Sequence, residues 1–118
     1  MEENKILNKL KNLELKAVIF IMDYIQLELG EVKLSVYTLP NVLKNGIRTM
    51  PSNESYPYEL KSLIGEKIKN VNHRIQDESI EIEFTNKTIL SISLKESDKS
   101  CAEVMMINFD NGKDWAVW

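Results

Sequence analysis

The sequence predicts an α+β fold: one domain over residues 1–118, with an antiparallel β-sheet of about six strands in meanders and two short helices. Three observations carry this. Apolar residues recur with a period of two through most of the chain, the helical period appears only in two short stretches, and turn-forming residues separate neighbouring strands.

The first helical stretch is "EENKILNKLKN" (2–12), with Ile6, Leu7 and Leu10 on one side. So short a helix is marginal alone and needs a sheet to pack on. From Leu13 the period becomes two. Leu13, Leu15, Ala17, Ile19, Ile21, Ile25, Leu27 and Leu29 fall on one parity, interrupted only by Asp23. Val18, Phe20, Met22 and Tyr24 make the centre apolar on the other parity too. A single long strand, covered on both faces at its centre, is the expectation. Gly30-Glu31 then forms a two-residue hairpin turn, with Gly first as type II′ requires. That turn pairs Leu29 with Val32, Leu27 with Leu34 and Ile25 with Val36, and by extension Asp23 with Thr38. The expected result is a buried Asp23 bound to Thr38 or to the loop that follows, since a buried carboxylate needs a partner.

Residues 39–55, with two Pro and a Gly, read as a loop or irregular edge that carries Arg48. "SYPYELKSLIGEK" reads as the central helix, with Pro57 in its first turn, Leu60, Leu63 and Ile64 as its apolar stripe, and Gly65 at its end. A break of period in "KIKNVNHRI" suggests a β-bulge. "SIEIEF" and "TILSISL" make a hairpin. A three-residue loop, Thr85-Asn86-Lys87, keeps Ile82 opposite Leu90 and Ile80 opposite Ile92, and it places Lys87 in the left-handed region. "KESDKS" is a polar turn. "EVMMINF" and "DWAVW" close the chain as a hairpin around "DNGK", with Trp115 closing the core. No internal repeat, linker or low-complexity tract is evident.

Composition narrows the functional classes. The chain of 118 residues has a net charge of −3 and 43% hydrophobic residues. The acidic balance disfavours nucleic acid as a partner. No apolar run reaches the roughly 18 residues that span a membrane, and one Cys suits a reducing compartment, so a cytoplasmic protein is expected. The single His73 excludes HExxH-type zinc motifs, the four scattered Gly exclude phosphate-binding loops, and no GxSxG elbow occurs. Cys101 lacks any protease or CxxC context. No cofactor or metal is expected.

What remains is a surface reading. Asp77, Glu78, Glu81 and Glu83 crowd one short stretch, either as a solvated strand face or as an acidic patch for a basic protein. Arg48 in the long loop and Trp118 at the end are candidate anchors for that partner. Asp23 with Thr38 is a buried polar pair or a site. A non-catalytic protein-binding role ranks first. A small-molecule or metal-dependent enzyme using Asp23 with Tyr24, Tyr37 or His73 ranks second. A homo-oligomer built through an exposed sheet edge or Trp118 ranks third.

"LIGEKIKNV" (63–71), "IEIEFTNKTILSISL" (80–94), "AEVMMINF…WAVW" (102–118) and "FIMDYIQLEL" (20–29) together resemble a group of small uncharacterised bacterial proteins. The chain departs from that pattern at Lys87, where the group has Gly, and at Cys101-Ala102, where it has Pro before Glu103. The resemblance covers most of the chain but carries no activity. Small acidic proteins of this kind are similar in character to immunity proteins that neutralise toxins of neighbouring bacteria, an analogy that implies a cognate toxin domain as partner.

Overall fold

A computed structural model describes residues 2–98, 103–109 and 115–118. Cys101, the "DNGK" turn and the packing expected of the Trp115 side chain therefore lie outside what is described. The α+β class holds, but the strands number ten among these residues and form two antiparallel sheets. After helix α1 (Glu2–Asn8) come β1 (Ala17–Ile21), β2 (Tyr24–Leu29) and β3 (Val32–Val36). Next are β4 (Asn41–Lys44), β5 (Ile47–Thr49), helix α2 (Tyr56–Lys61), β6 (Ile68–Arg74), β7 (Ser79–Phe84) and β8 (Ile89–Ser93). A 3₁₀ turn (Glu96–Asp98), β9 (Met105–Asn108) and β10 (Trp115–Val117) complete the order. One sheet runs β1-β2-β3-β9-β10 and the other β5-β4-β8-β7-β6. The two share one wiring: a three-strand meander whose third strand takes up the first strand of a separate hairpin.

The apolar faces of both sheets enclose one core, to which α1 contributes Leu7 and α2 contributes Tyr56 and Leu60. Period-two patterning explains the sheet faces. Ile80, Ile82, Phe84, Leu90 and Ile92 are fully buried, and Glu81, Glu83, Ser91 and Ser93 alternate with them on the outer side. Among the described residues Phe84 is the largest fully buried side chain.

Several expected features are present. The Gly30 hairpin has the anticipated register, with Ile25, Leu27 and Leu29 opposite Val36, Leu34 and Val32, and φ of 74° at Gly30. The β6 bulge falls between Ile68 and Asn70. Ile82 pairs Leu90, and Lys87 has φ of 73°.

Four expectations are corrected. The long strand is a hairpin: Met22 and Asp23 form its turn, with Ile21 opposite Tyr24 and Phe20 opposite Ile25. Ile21 and Ile25 thus lie on opposite faces. The apparent double burial comes from reading two strands as one. Asp23 is consequently an exposed turn residue, not a buried one facing Thr38. Second, residues 41–49 are not an irregular loop. Asn45 and Gly46 have φ of 53° and 78°, the two left-handed residues of a type I′ turn that joins β4 to β5. Third, Ile64 is not part of the α2 stripe but is 45% exposed, because the helix ends at Lys61. Fourth, Trp118 is not a free-standing anchor. It is half-buried against the core, and its backbone bonds to Val104 and Met105.

Tyr56 ties α2 to the chain entering β4. Its buried hydroxyl donates to the Pro40 carbonyl at 2.7 Å. Burial pushes the phenol pKa well above its ordinary 10.0. A folded pKa above the unfolded one means the native state retains this proton longer. That stabilisation is complete below pH 10 and is lost as pH rises towards the folded pKa, at up to about 1.4 kcal/mol per pH unit. Tyr56→Phe should cost about 1–2 kcal/mol at neutral pH and remove this part of the alkaline slope, as measured by urea unfolding from about pH 8 to 11.

Candidate functional site

The outer face of the β4–β8–β7–β6 sheet carries small polar side chains at its centre. Asn41, Ser91, Glu81 and Asn72 stand opposite one another across four strands, and Ser93, Ser79 and Arg74 form the next row. Serine and asparagine leave a low floor. Longer side chains from the loops stand around it, and two adjoining clefts result.

The first, about 380 Å³, is lined by Asp23, Tyr37, Thr38, Leu39, Asn41, Ser93 and Asp98. The second, about 330 Å³, is bordered by Arg48, Asp77, Glu78, Glu81, Lys95 and Asp98 over Asn41, Ser79, Ser91 and Ser93. Asn41, Ser93 and Asp98 belong to both, so the clefts form one continuous groove. Among the described residues its lining holds five carboxylates (Asp23, Asp77, Glu78, Glu81 and Asp98) against the two cations Arg48 and Lys95.

Several of the carboxylates are held by nearby groups. Arg74 Nε donates to Asp77 Oδ2 at 2.9 Å, and its Nη1 lies 3.7 Å from Glu81 Oε1. These acids, the Asp77 hydrogen bond foremost, raise the Arg74 pKa above its ordinary value. Ser93 Oγ donates to Asp98 Oδ2 at 2.6 Å, and a carboxylate with one oxygen so engaged keeps further acceptor capacity. Glu78 sits at φ of 50°, a left-handed conformation costly for a side chain of its size. Glu78→Gly should therefore raise stability by about 0.5–1 kcal/mol while removing a groove carboxylate, so thermal melting and binding would move in opposite directions.

The candidate residues read from the sequence divide between this groove and elsewhere. Asp77, Glu78, Glu81 and Arg48 gather in it. Glu83 shares the sheet face but lies outside the lining and accepts from Asn70 Nδ2 at 3.3 Å. Asp23 and Thr38 line the same cleft but do not bond to each other. Thr38 is buried, its Oγ1 has no hydrogen-bond partner, and its N–H donates to the Val104 carbonyl. Tyr37 lies beside Tyr24, with ring centroids 5.1 Å apart. His73 lines a different cleft, with Arg74, Ile75, Gln76 and Asp77. Among the described residues no group of three or more His, Cys, Asp and Glu is placed to hold a metal ion, and no helix is long and apolar enough to cross a membrane. Asp98 and Lys95 join the site without having been flagged by the sequence. They come from the "KESDKS" turn, which reads only as polar, and nothing local shows that β8 carries it alongside Asp77 and Glu78.

No family model, curated protein or solved structure matches the chain.

Proposed function

We propose that this is a non-catalytic binding protein whose acidic groove docks a basic surface of another protein, in the manner of an immunity protein that occludes a toxin. The single observation that carries the reading is the groove: among the described residues, five carboxylates and two cations around a floor of small polar side chains. An open acidic concavity concentrates field lines and accelerates encounter with a cationic partner. The low floor admits long Lys or Arg side chains, and the fixed carboxylates give them defined acceptors. The resemblance to small acidic bacterial proteins supports the immunity analogy and adds no chemistry.

The enzymatic alternative uses Asp23 with Tyr24, Tyr37 or His73. Asp23 and Tyr37 share a cleft and His73 lines another, so only the tyrosine pairing stays available to it; the crowd of carboxylates in the same groove is what favours docking.

The test is co-purification of the protein with the product of the gene directly upstream, followed by kinetics of that pair with Glu78→Gln, Glu81→Gln and Asp98→Asn combined. Salt-sensitive association, slowed by the triple variant, is the expected result. A complex indifferent to all three substitutions would overturn the reading.

A further inference from the structure

β1 is an edge strand, and although α2 packs near it, its own sequence carries none of the devices that usually blunt one. Among the described residues its backbone pairs only with β2. Its sequence, Ala-Val-Ile-Phe-Ile, has no charge, proline, glycine or bulge, and Ile19 and Phe20 are 36% and 44% exposed. The other edges are protected. β5 carries Arg48, β6 carries Lys69, Arg74 and a bulge, and β10 has three residues. The exposed Ile19 and Phe20 make this the edge best suited to take up another strand.

We infer that β1 pairs antiparallel with β1 of a second copy about a two-fold axis through Ile19, which joins two sheets into one. Self-pairing follows from the strand's symmetry. Centred on Ile19, it places Ile19 opposite Ile19, Val18 opposite Phe20 and Ala17 opposite Ile21, so every cross-strand pair is apolar. Charge complementarity favours the same antiparallel orientation. Lys16 and Asp23 flank the strand at opposite ends, and both are exposed. Antiparallel pairing therefore carries Lys16 of each copy to the end where Asp23 of the other stands, and the two-fold makes that approach twice. A parallel arrangement would bring Lys16 to Lys16 and Asp23 to Asp23. The turn that lifts Asp23 out of the core thus places it where a second copy presents a cation. The contact is one strand wide, smaller than a standard interface, so association is weak and concentration-dependent.

Sedimentation velocity tests this on the intact chain. The weight-average mass should rise from 13.7 kDa towards twice that value as concentration increases to about 1 mM. Ile19→Lys and Ile19→Glu, at an exposed position, should each remain monomeric, because the two-fold sets like charges opposite each other. Mixing them in equal parts should restore the dimer, since position 19 meets itself. Asp23→Lys, in the exposed turn, should weaken association at low salt without touching the core. Wild-type protein that stays monomeric at about 1 mM would overturn the inference. So would Ile19 variants that dimerise as wild type does, or a mixture that fails to associate while both variants melt cooperatively.

Discussion

Phe84→Ala lowers the unfolding free energy by about 3–5 kcal/mol. Phe84 is fully buried at the end of β7, paired with Ile68 across the bulged β6 ladder, and it is the largest fully buried side chain among the described residues. Truncation removes the transfer free energy of the ring and leaves a cavity between rigid strands that relax little. A domain of this size has about 5–15 kcal/mol to lose, so the melting temperature should drop by more than about 10 °C. Phe84→Leu retains most of the volume and should cost less than half as much. Chemical denaturation with an unchanged slope would confirm loss of native packing rather than a change in the unfolded state. A loss under about 1 kcal/mol would mean that the two sheets do not share the core described.

Combining Glu78→Gln, Glu81→Gln and Asp98→Asn lowers the association rate with a basic partner at least about tenfold at low salt and flattens its salt dependence. Three of the five groove carboxylates are then neutral, and the two cations Arg48 and Lys95 remain. The substitutions are close to isosteric. The amide oxygen introduced by Asp98→Asn can still accept from Ser93 Oγ, and Arg74 keeps Asp77. Their stability cost should therefore stay within about 1 kcal/mol, because exposed ion pairs contribute little to folding. Binding and stability separate cleanly in this variant. The reverse holds for Phe84→Ala, which weakens the fold without altering a groove charge.

Much of the architecture is legible from local chemistry. Gly30 sets the register of the β2–β3 hairpin, because a short turn and three apolar pairs agree. Lys87 is assigned to the left-handed region because only a three-residue loop keeps Ile80 and Ile82 facing Ile92 and Leu90. The Met22-Asp23 turn is not legible. Methionine rarely takes φ of 49°, and with no glycine to mark the reversal two strands read as one. Reading one strand there buries Asp23, which the turn in fact exposes. Asn45-Gly46 does carry a hairpin signal, but the prolines on either side obscure it. The division into two sheets, and the meeting of Asp98, Glu78 and Arg48, depend on pairings between distant strands. No local pattern encodes those. The acidic patch is half-visible for the same reason: Asp77, Glu78 and Glu81 are neighbours in sequence, whereas Asp98 and Asp23 reach the groove only through the fold.

Docking at the groove is tested most directly by an amide NMR titration with a lysine-rich peptide. Shift changes should concentrate at Ser79, Glu81, Ser91, Ser93 and Asp98, be reduced by the triple variant and vanish near about 0.5 M salt, where screening acts within a few ångströms. Shifts spread evenly over unrelated acids such as Glu28 and Glu31, or unchanged in the triple variant, would contradict it.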